Sequence, residues 1–149
     1  MKNNVFKMTE KTLYEYKNMN IKIENIELYI ESLLNDVSMA GVSYEEKFPT
    51  NAFSSSVENE VIKRDEHLMS KIEHLKKTRA NIGSLKQRIT NALNTLEPEE
   101  TKLVELRYFT KPKKSWVEIG MTLGLDKDTC GRMKNRIIYK ITDLIYLPE

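Results

Sequence analysis

Cysteine is nearly missing from this chain of 149 residues: Cys130 stands alone. One thiol excludes an internal disulfide and any cysteine-cluster zinc site. Glycine (five) and proline (four) are scarce, and an all-β fold needs many more turn residues. No apolar run reaches the ~18 residues of a membrane span. The stretch from Met1 to Glu10 is polar and has no apolar centre, so it does not read as a secretory leader. These absences predict a cytoplasmic, all-α protein with no membrane partner.

Enzyme signatures are also wanting. There is no glycine loop for phosphate and no nucleophile motif. Glu45-Glu46 reads as a loop pair, and Glu99-Glu100 as acidic residues at a helix start, where the helix dipole favours them; neither makes an acid/base site. His67 and His74 lie seven apart on one helical face without a third ligand, so they read as solvated or stacked histidines, not metal ligands. No catalytic residue, metal or cofactor is expected.

The net charge of +2 is small, but it is segregated. Residues 23–60 hold eight acidic and one basic residue, a balance of −7. Residues 71–90 carry +5, and residues 111–142 carry +5 again. Segregation of this kind suits an anionic partner near the basic blocks.

Apolar residues recur at helical spacing. Leu13, Tyr16, Ile23, Ile26, Ile30, Leu33 and Val37 predict a first helix over about 9–38. A linker follows over 39–53. Ser55 and Glu58 form a capping box, opening a second helix over about 56–93 with Val57, Val61, Leu68, Ile72, Leu75, Ile82, Leu85 and Ile89 in its stripe. Spacing near 3.5 suggests a helical hairpin or coiled-coil seam. The first helix can be the antiparallel partner, or two copies of the chain can pair. Gly83 interrupts the stripe, which suggests a kink or a close helix contact. Residues 1–95 thus form a helical region for oligomerisation or polymerase contact, and 96–149 a separate domain.

In that last domain Pro98 suits the first turn of a helix that runs to Tyr108, with Leu103, Val104 and Leu106 facing inward. Residues 110–114 form a basic loop. Ser115 and Glu118 form another capping box and open a short helix, 116–123. Gly124 ends it as a left-handed cap, and Asp126 caps the next helix, 127–145. Cys130, Met133, Ile137, Ile141 and Leu144 are its inner face. Small Gly120, turn Gly124, and buried Cys130 and Met133 fall at offsets expected of a helix-turn-helix. The outward face of the last helix carries Lys127, Arg132, Lys134, Asn135, Arg136 and Lys140. Trp116 reads as core packing.

A helix-turn-helix meets base edges with the first turns of its second helix. The candidate base-reading residues are therefore Lys127, Asp128, Gly131, Arg132 and Asn135. Arg132 or Lys127 suits guanine and Asn135 adenine. Asp128 suits cytosine or orients a neighbouring cation. Gly131 lets the backbone approach DNA closely. Arg107, Lys113, Lys114, Ser115 and Arg136 are candidate phosphate contacts, which set register.

From Leu96 onward the chain resembles region 4 of bacterial sigma factors. The resemblance is carried by Leu96-Glu97-Pro98-Glu99-Glu100, Leu103-Val104-Glu105-Leu106-Arg107-Tyr108-Phe109, Ser115-Trp116-Val117-Glu118-Ile119-Gly120 and Leu123-Gly124-Leu125-Asp126. It implies a domain that reads promoter DNA and can also touch RNA polymerase. Gly120 for the usual alanine, Cys130 for a branched aliphatic residue and Gly131 on the reading face depart from the pattern. With the long preceding helix and Ser56-Val57-Glu58-Asn59-Glu60, the layout is similar to phage late-gene transcriptional activators of the RinA/ArpU type. The expectation is a sequence-specific transcriptional regulator of phage or prophage genes. Its partners would be double-stranded DNA, RNA polymerase, and a second copy through the N-terminal helices. Two alternatives share the domain: the small subunit of a phage terminase, and a polymerase-binding adaptor that does not touch DNA.

Overall fold

The computed structural model describes residues 2–45 and 54–147. All regular structure among them is helical. The order is α1 (Lys2–Glu15), a 3-10 turn (Tyr16–Asn18), α2 (Met19–Glu45), α3 (Ser54–Leu93), α4 (Pro98–Val104) with a π-helical turn (Glu105–Phe109), α5 (Trp116–Leu123) and α6 (Lys127–Ile145). None of these helices is long and apolar enough to cross a membrane. The chain forms two compact units, Met1–Met19 with Gly83–Glu149, and Asn20–Ile82.

The smaller unit is an antiparallel pairing of α2 with α3. Ile30, Leu33 and Ile72 are buried together, and Ile26, Leu68 and Leu75 pack around them. Glu27 meets Arg79 at 3.9 Å, and Lys71 lies over the Tyr29 ring. Of the two partners left open for the 3.5-residue stripe, this seam is made within one chain. The Ser55–Glu58 capping box involves side chains outside the described residues, and so does most of the expected linker. α2 reaches Glu45, past the expected end at 38. α3 runs through Gly83 unbroken, and no atom lies within 4 Å of where a Cβ would stand there. The close contact expected at that glycine is absent.

In the larger unit, α6 is the central element. Cys130, Met133, Ile137 and Ile141 are buried, as their spacing requires. Leu144 does not join them; it is 43% exposed, and Ile138 and Ile145 are buried instead. Helix α1 packs along the C-terminal half of α6. The expected helix over 9–38 is broken at Tyr16–Asn18, and its first part joins α6, not the hairpin. Leu13 is fully buried. Phe6 of α1 lies against Tyr139 of α6, and polar pairs complete the contact. Thr9 and Thr142 share a 2.8 Å hydrogen bond, and Thr12 and Tyr146 one of 2.7 Å. At the break, the Tyr16 hydroxyl pairs with Thr90 at 2.8 Å, and its ring lies against Phe109. Arg88 donates to the Ile145 carbonyl at 3.0 Å, satisfying one of the carbonyls that a helix end leaves open.

Pro98 starts α4 as expected, and Glu97 and Glu100 complete a capping box there. Leu103 and Val104 are buried. Leu106 is only half-buried, and Tyr108 takes the inward place. The π-helical turn explains the exchange: its wider winding brings residues five apart, such as Leu103 and Tyr108, toward one face. The Tyr108 hydroxyl donates to Glu10 of α1 at 2.7 Å.

The limits of α5 and the turn after it fall where the sequence expects them. Ser115 accepts from the Glu118 amide, and Glu118 accepts from the Ser115 amide. Gly124 has φ 71°, in the left-handed region that glycine enters without penalty. The chain then folds back so tightly that a Cβ on Gly120 would lie 2.5 Å from the Leu125 carbonyl oxygen. The close approach at Gly120 is thus to the turn backbone, not to the second helix.

Two glycines should therefore respond oppositely to substitution. Gly120→Val forces the Leu125 backbone away and should destabilise the protein by about 1–3 kcal/mol. Gly83→Ala fills open space in a helix interior and should stabilise it by about 1 kcal/mol. Urea unfolding followed by circular dichroism measures both, and equal signs would contradict this packing. A pH effect follows from Tyr108. Burial, then the hydrogen bond to Glu10, pushes its pKa far above the ordinary tyrosine value. A raised folded-state pKa means the contribution is complete below the unfolded value of about 10 and is lost as pH rises above it. Wild-type stability should fall above about pH 10 more steeply than that of Tyr108→Phe, as urea midpoints across that range would reveal.

Candidate nucleic-acid interface

With α1, α4 and α5 packed around it, α6 leaves one arc uncovered. Thr129, Arg132, Asn135 and Arg136 line a shallow open depression on that arc. Arg132, Asn135 and Arg136 are exposed, as are Lys127 and Asp128 in the first turn. Gly131 lies between them, half-exposed, and the space where its Cβ would stand is open to 4 Å. The five candidate base-reading residues thus share one side of the first half of α6.

Asp126 opens α6 in extended conformation but makes no side-chain cap hydrogen bond. Its carboxylate is taken instead by the Thr129 hydroxyl. That hydrogen bond is the main reason its pKa lies below the usual carboxylate range. Arg132 in turn reaches the Thr129 oxygen at 3.4 Å. Asp126, Thr129 and Arg132, three apart in sequence, form a ridge leading from the turn to the centre of the exposed arc. Thr129 is not among the residues that the sequence singles out. Its signal is a carboxylate and a hydroxyl three apart at a helix start, a spacing that places side chains side by side.

The candidate phosphate contacts do not all stand alike. Arg136 and Lys113 are exposed. Ser115 is exposed too, but its hydroxyl already caps α5. Lys114 is half-buried, and its carbonyl accepts from Arg107 at 2.9 Å. The Arg107 guanidinium stacks over Trp116 at 4.4 Å. Arg107 therefore braces the basic loop against α5. Trp116 is not a core residue: it is half-buried beneath Arg107 and, at 5.9 Å, Lys134.

Two of the six outward residues assigned to α6 are committed elsewhere. Lys134 binds Glu10 at 3.2 Å and also lies over Phe6. Lys140 lies 3.7 Å from Glu100 and donates to the Thr95 carbonyl. Exposed helical lysines and arginines look alike in sequence, and only the neighbours, here α1 and α4, decide which are spent internally. Cys130 is fully buried, and burial pushes its thiol pKa up. It is therefore a packing residue with little thiolate character. No group of three potential metal ligands occurs among the described residues.

No curated protein matches this chain, and no solved structure does either. One family model matches residues 9–143, which is nearly the whole chain. The chain belongs to that family, described as "Protein of unknown function (DUF722)".

Proposed function

We propose that this chain is a sequence-specific DNA-binding protein that regulates transcription, with α5 and α6 as its helix-turn-helix. The observation that carries this reading is the uncovered arc of α6. Lys127, Arg132, Asn135 and Arg136 are exposed on the helix that follows a three-residue turn, while Cys130, Met133, Ile137, Ile138, Ile141 and Ile145 of the same helix are buried. An α-helix fits the major groove, and arginine and asparagine can each read a base edge there with two hydrogen bonds. The resemblance of residues 96–149 to sigma region 4 supports a promoter as the target, and the layout similar to RinA/ArpU-type activators supports phage or prophage late genes as the setting.

A second copy of the chain is the partner that the smaller unit suits. Ile21 and Leu28, seven apart on α2, are 54% and 62% exposed, and Ile62 and Met69, seven apart on α3, are 53% and 42% exposed. Seven-residue spacing of apolar residues is what helices pairing side by side require. A two-fold dimer also fits the paired half-sites that helix-turn-helix proteins commonly bind. One observation favours RNA polymerase, or another protein, as a further partner. Val117 and Met121, four apart on α5, are 58% and 80% exposed beside the proposed DNA surface.

Selection from a randomised duplex pool should enrich one motif, and affinity for it should fall steeply with salt as counterions are displaced. Failure to enrich a motif, or a flat salt dependence, would overturn the reading. Arg132→Ala should lose roughly 1–3 kcal/mol of discrimination at one base pair, whereas Arg136→Ala should lower the salt slope by about 1 with sequence preference kept. Gly131→Ala separates fold from function. It should raise helix stability by roughly 0.5–1 kcal/mol, yet weaken binding, because the added methyl stands where the backbone would approach DNA. Light scattering should give a dimer that Leu28→Glu with Ile62→Glu converts to monomer. A wild-type monomer at high concentration would exclude pairing, and a large ring would favour the terminase-like alternative.

A further inference from the structure

Helix α1 is not part of the DNA surface expected from sequence, but its placement brings it there. The contacts along α6 give its direction. Phe6 meets Tyr139, Thr9 meets Thr142, and Thr12 meets Tyr146. The two helices therefore run the same way, and the start of α1 points back toward the half of α6 that holds Arg132 and Asn135. Phe6 also lies beneath Lys134, whose ammonium reaches Trp116 in the first turn of α5. The amino-terminal half of α1 is thus beside both the middle of α6 and the start of α5.

The face that α1 turns outward is basic. Lys7, Lys11 and Tyr14 follow at the four- and three-residue steps that define one helical face, and all three are exposed. Lys113, from the basic loop, stands over the Tyr14 ring at 5.3 Å. This joins the loop to the α1 face as one strip. The two acids of the helix do not neutralise it. Glu10 is committed to Tyr108 and Lys134. Glu15, one turn beyond Lys11, makes no ion pair with either lysine among the described contacts. Two long, hydrated ammonium groups with no internal partner among the described residues suit a polyanion that presents charges in a row.

We propose that α1 binds the phosphate backbone of the same duplex through Lys7 and Lys11, beside the bases met by α6. This extends the DNA-binding reading and rests on it. The contact would be electrostatic and blind to sequence, so it would add affinity without adding discrimination.

The test compares the wild-type chain with Lys7→Gln/Lys11→Gln on the selected duplex and on a scrambled duplex, across a salt series. Glutamine keeps helix propensity, so both proteins should melt alike. Each phosphate contact contributes about 0.9 to the slope of log affinity against log salt. The double variant should therefore lose about 1.8 of slope and roughly tenfold or more in affinity near 0.1 M salt. Its preference for the selected duplex should be unchanged. Lys22→Gln/Lys63→Gln, with the same net charge and both lysines exposed in the smaller unit, should leave the slope near wild type. If the Lys7/Lys11 variant keeps the wild-type slope, or the control loses as much, the α1 contact is wrong while DNA binding stands. If the wild-type chain binds neither duplex, both readings fall.

Discussion

Helix α6 has to bury two arcs of its surface at once, and the larger unit is arranged to let it. Cys130, Met133, Ile137 and Ile141 form one arc, and Ile138 and Ile145 extend the buried surface along the second half. The first arc is the usual stripe that packs against one layer of helices. Helix α1 lies along the same second half of α6. Burying a side chain the size of isoleucine is worth about 1.5–3 kcal/mol, so Ile138 and Ile145, both fully buried, add sizeably to the stability of this unit. What remains uncovered is the other side of α6, with Lys127, Asp128, Arg132, Asn135 and Arg136 in its first half and Tyr139, Lys140, Asp143 and Leu144 in its second.

How much of this could be read from sequence depended on the kind of signal involved. Local backbone chemistry was legible. Ser115 with Glu118, Gly124 and Pro98 each solve a problem confined to a few residues, so the limits of α5 and the starts of α4 and α6 came out as expected. The intrachain seam of Ile30, Leu33, Leu68 and Ile72 was legible as a pattern, though its partner was not. The α1–α6 contact was hidden because half of it is made of hydroxyls. Thr9, Thr12, Thr142 and Tyr146 pair across it, and a search for apolar periodicity passes over them. The break at Tyr16–Asn18 was hidden for a related reason: Leu13, Tyr16 and Ile23 keep helical spacing through it. The π-helical turn at Glu105–Phe109 leaves no sequence signature and simply exchanges Leu106 for Tyr108.

Charge was the least legible quantity. Residues 111–142 carry a balance of +5, yet Lys134 and Lys140 are engaged with Glu10 and Glu100. Just before that block, Arg107 is stacked on Trp116 and bound to a carbonyl. A cation on an aromatic face and an acceptor has already lost part of its solvation, and it contributes to the fold more than to long-range attraction. Meanwhile Lys7 and Lys11, which the balance over 111–142 does not count, stand on the surface. The basic face of this unit is therefore assembled from both ends of the sequence.

The ridge of Asp126, Thr129 and Arg132 connects fold and function most directly. The Thr129 hydroxyl has one hydrogen, and Asp126 takes it, which leaves the oxygen lone pairs directed at Arg132. The carboxylate also sits at the amino end of α6, where the helix dipole favours negative charge. Each member thus leans on the next, starting from the turn that Gly124 makes possible. A guanidinium held this way has given up part of its side-chain entropy before any ligand arrives, and less remains to be lost on binding. Asn135, one turn further along the exposed arc, has no comparable brace among the described contacts. Of Arg132 and Asn135 at the centre of the arc, Arg132 is the one with a side-chain partner, and on the proposed DNA-binding reading specificity should be sharpest at the base pair it meets.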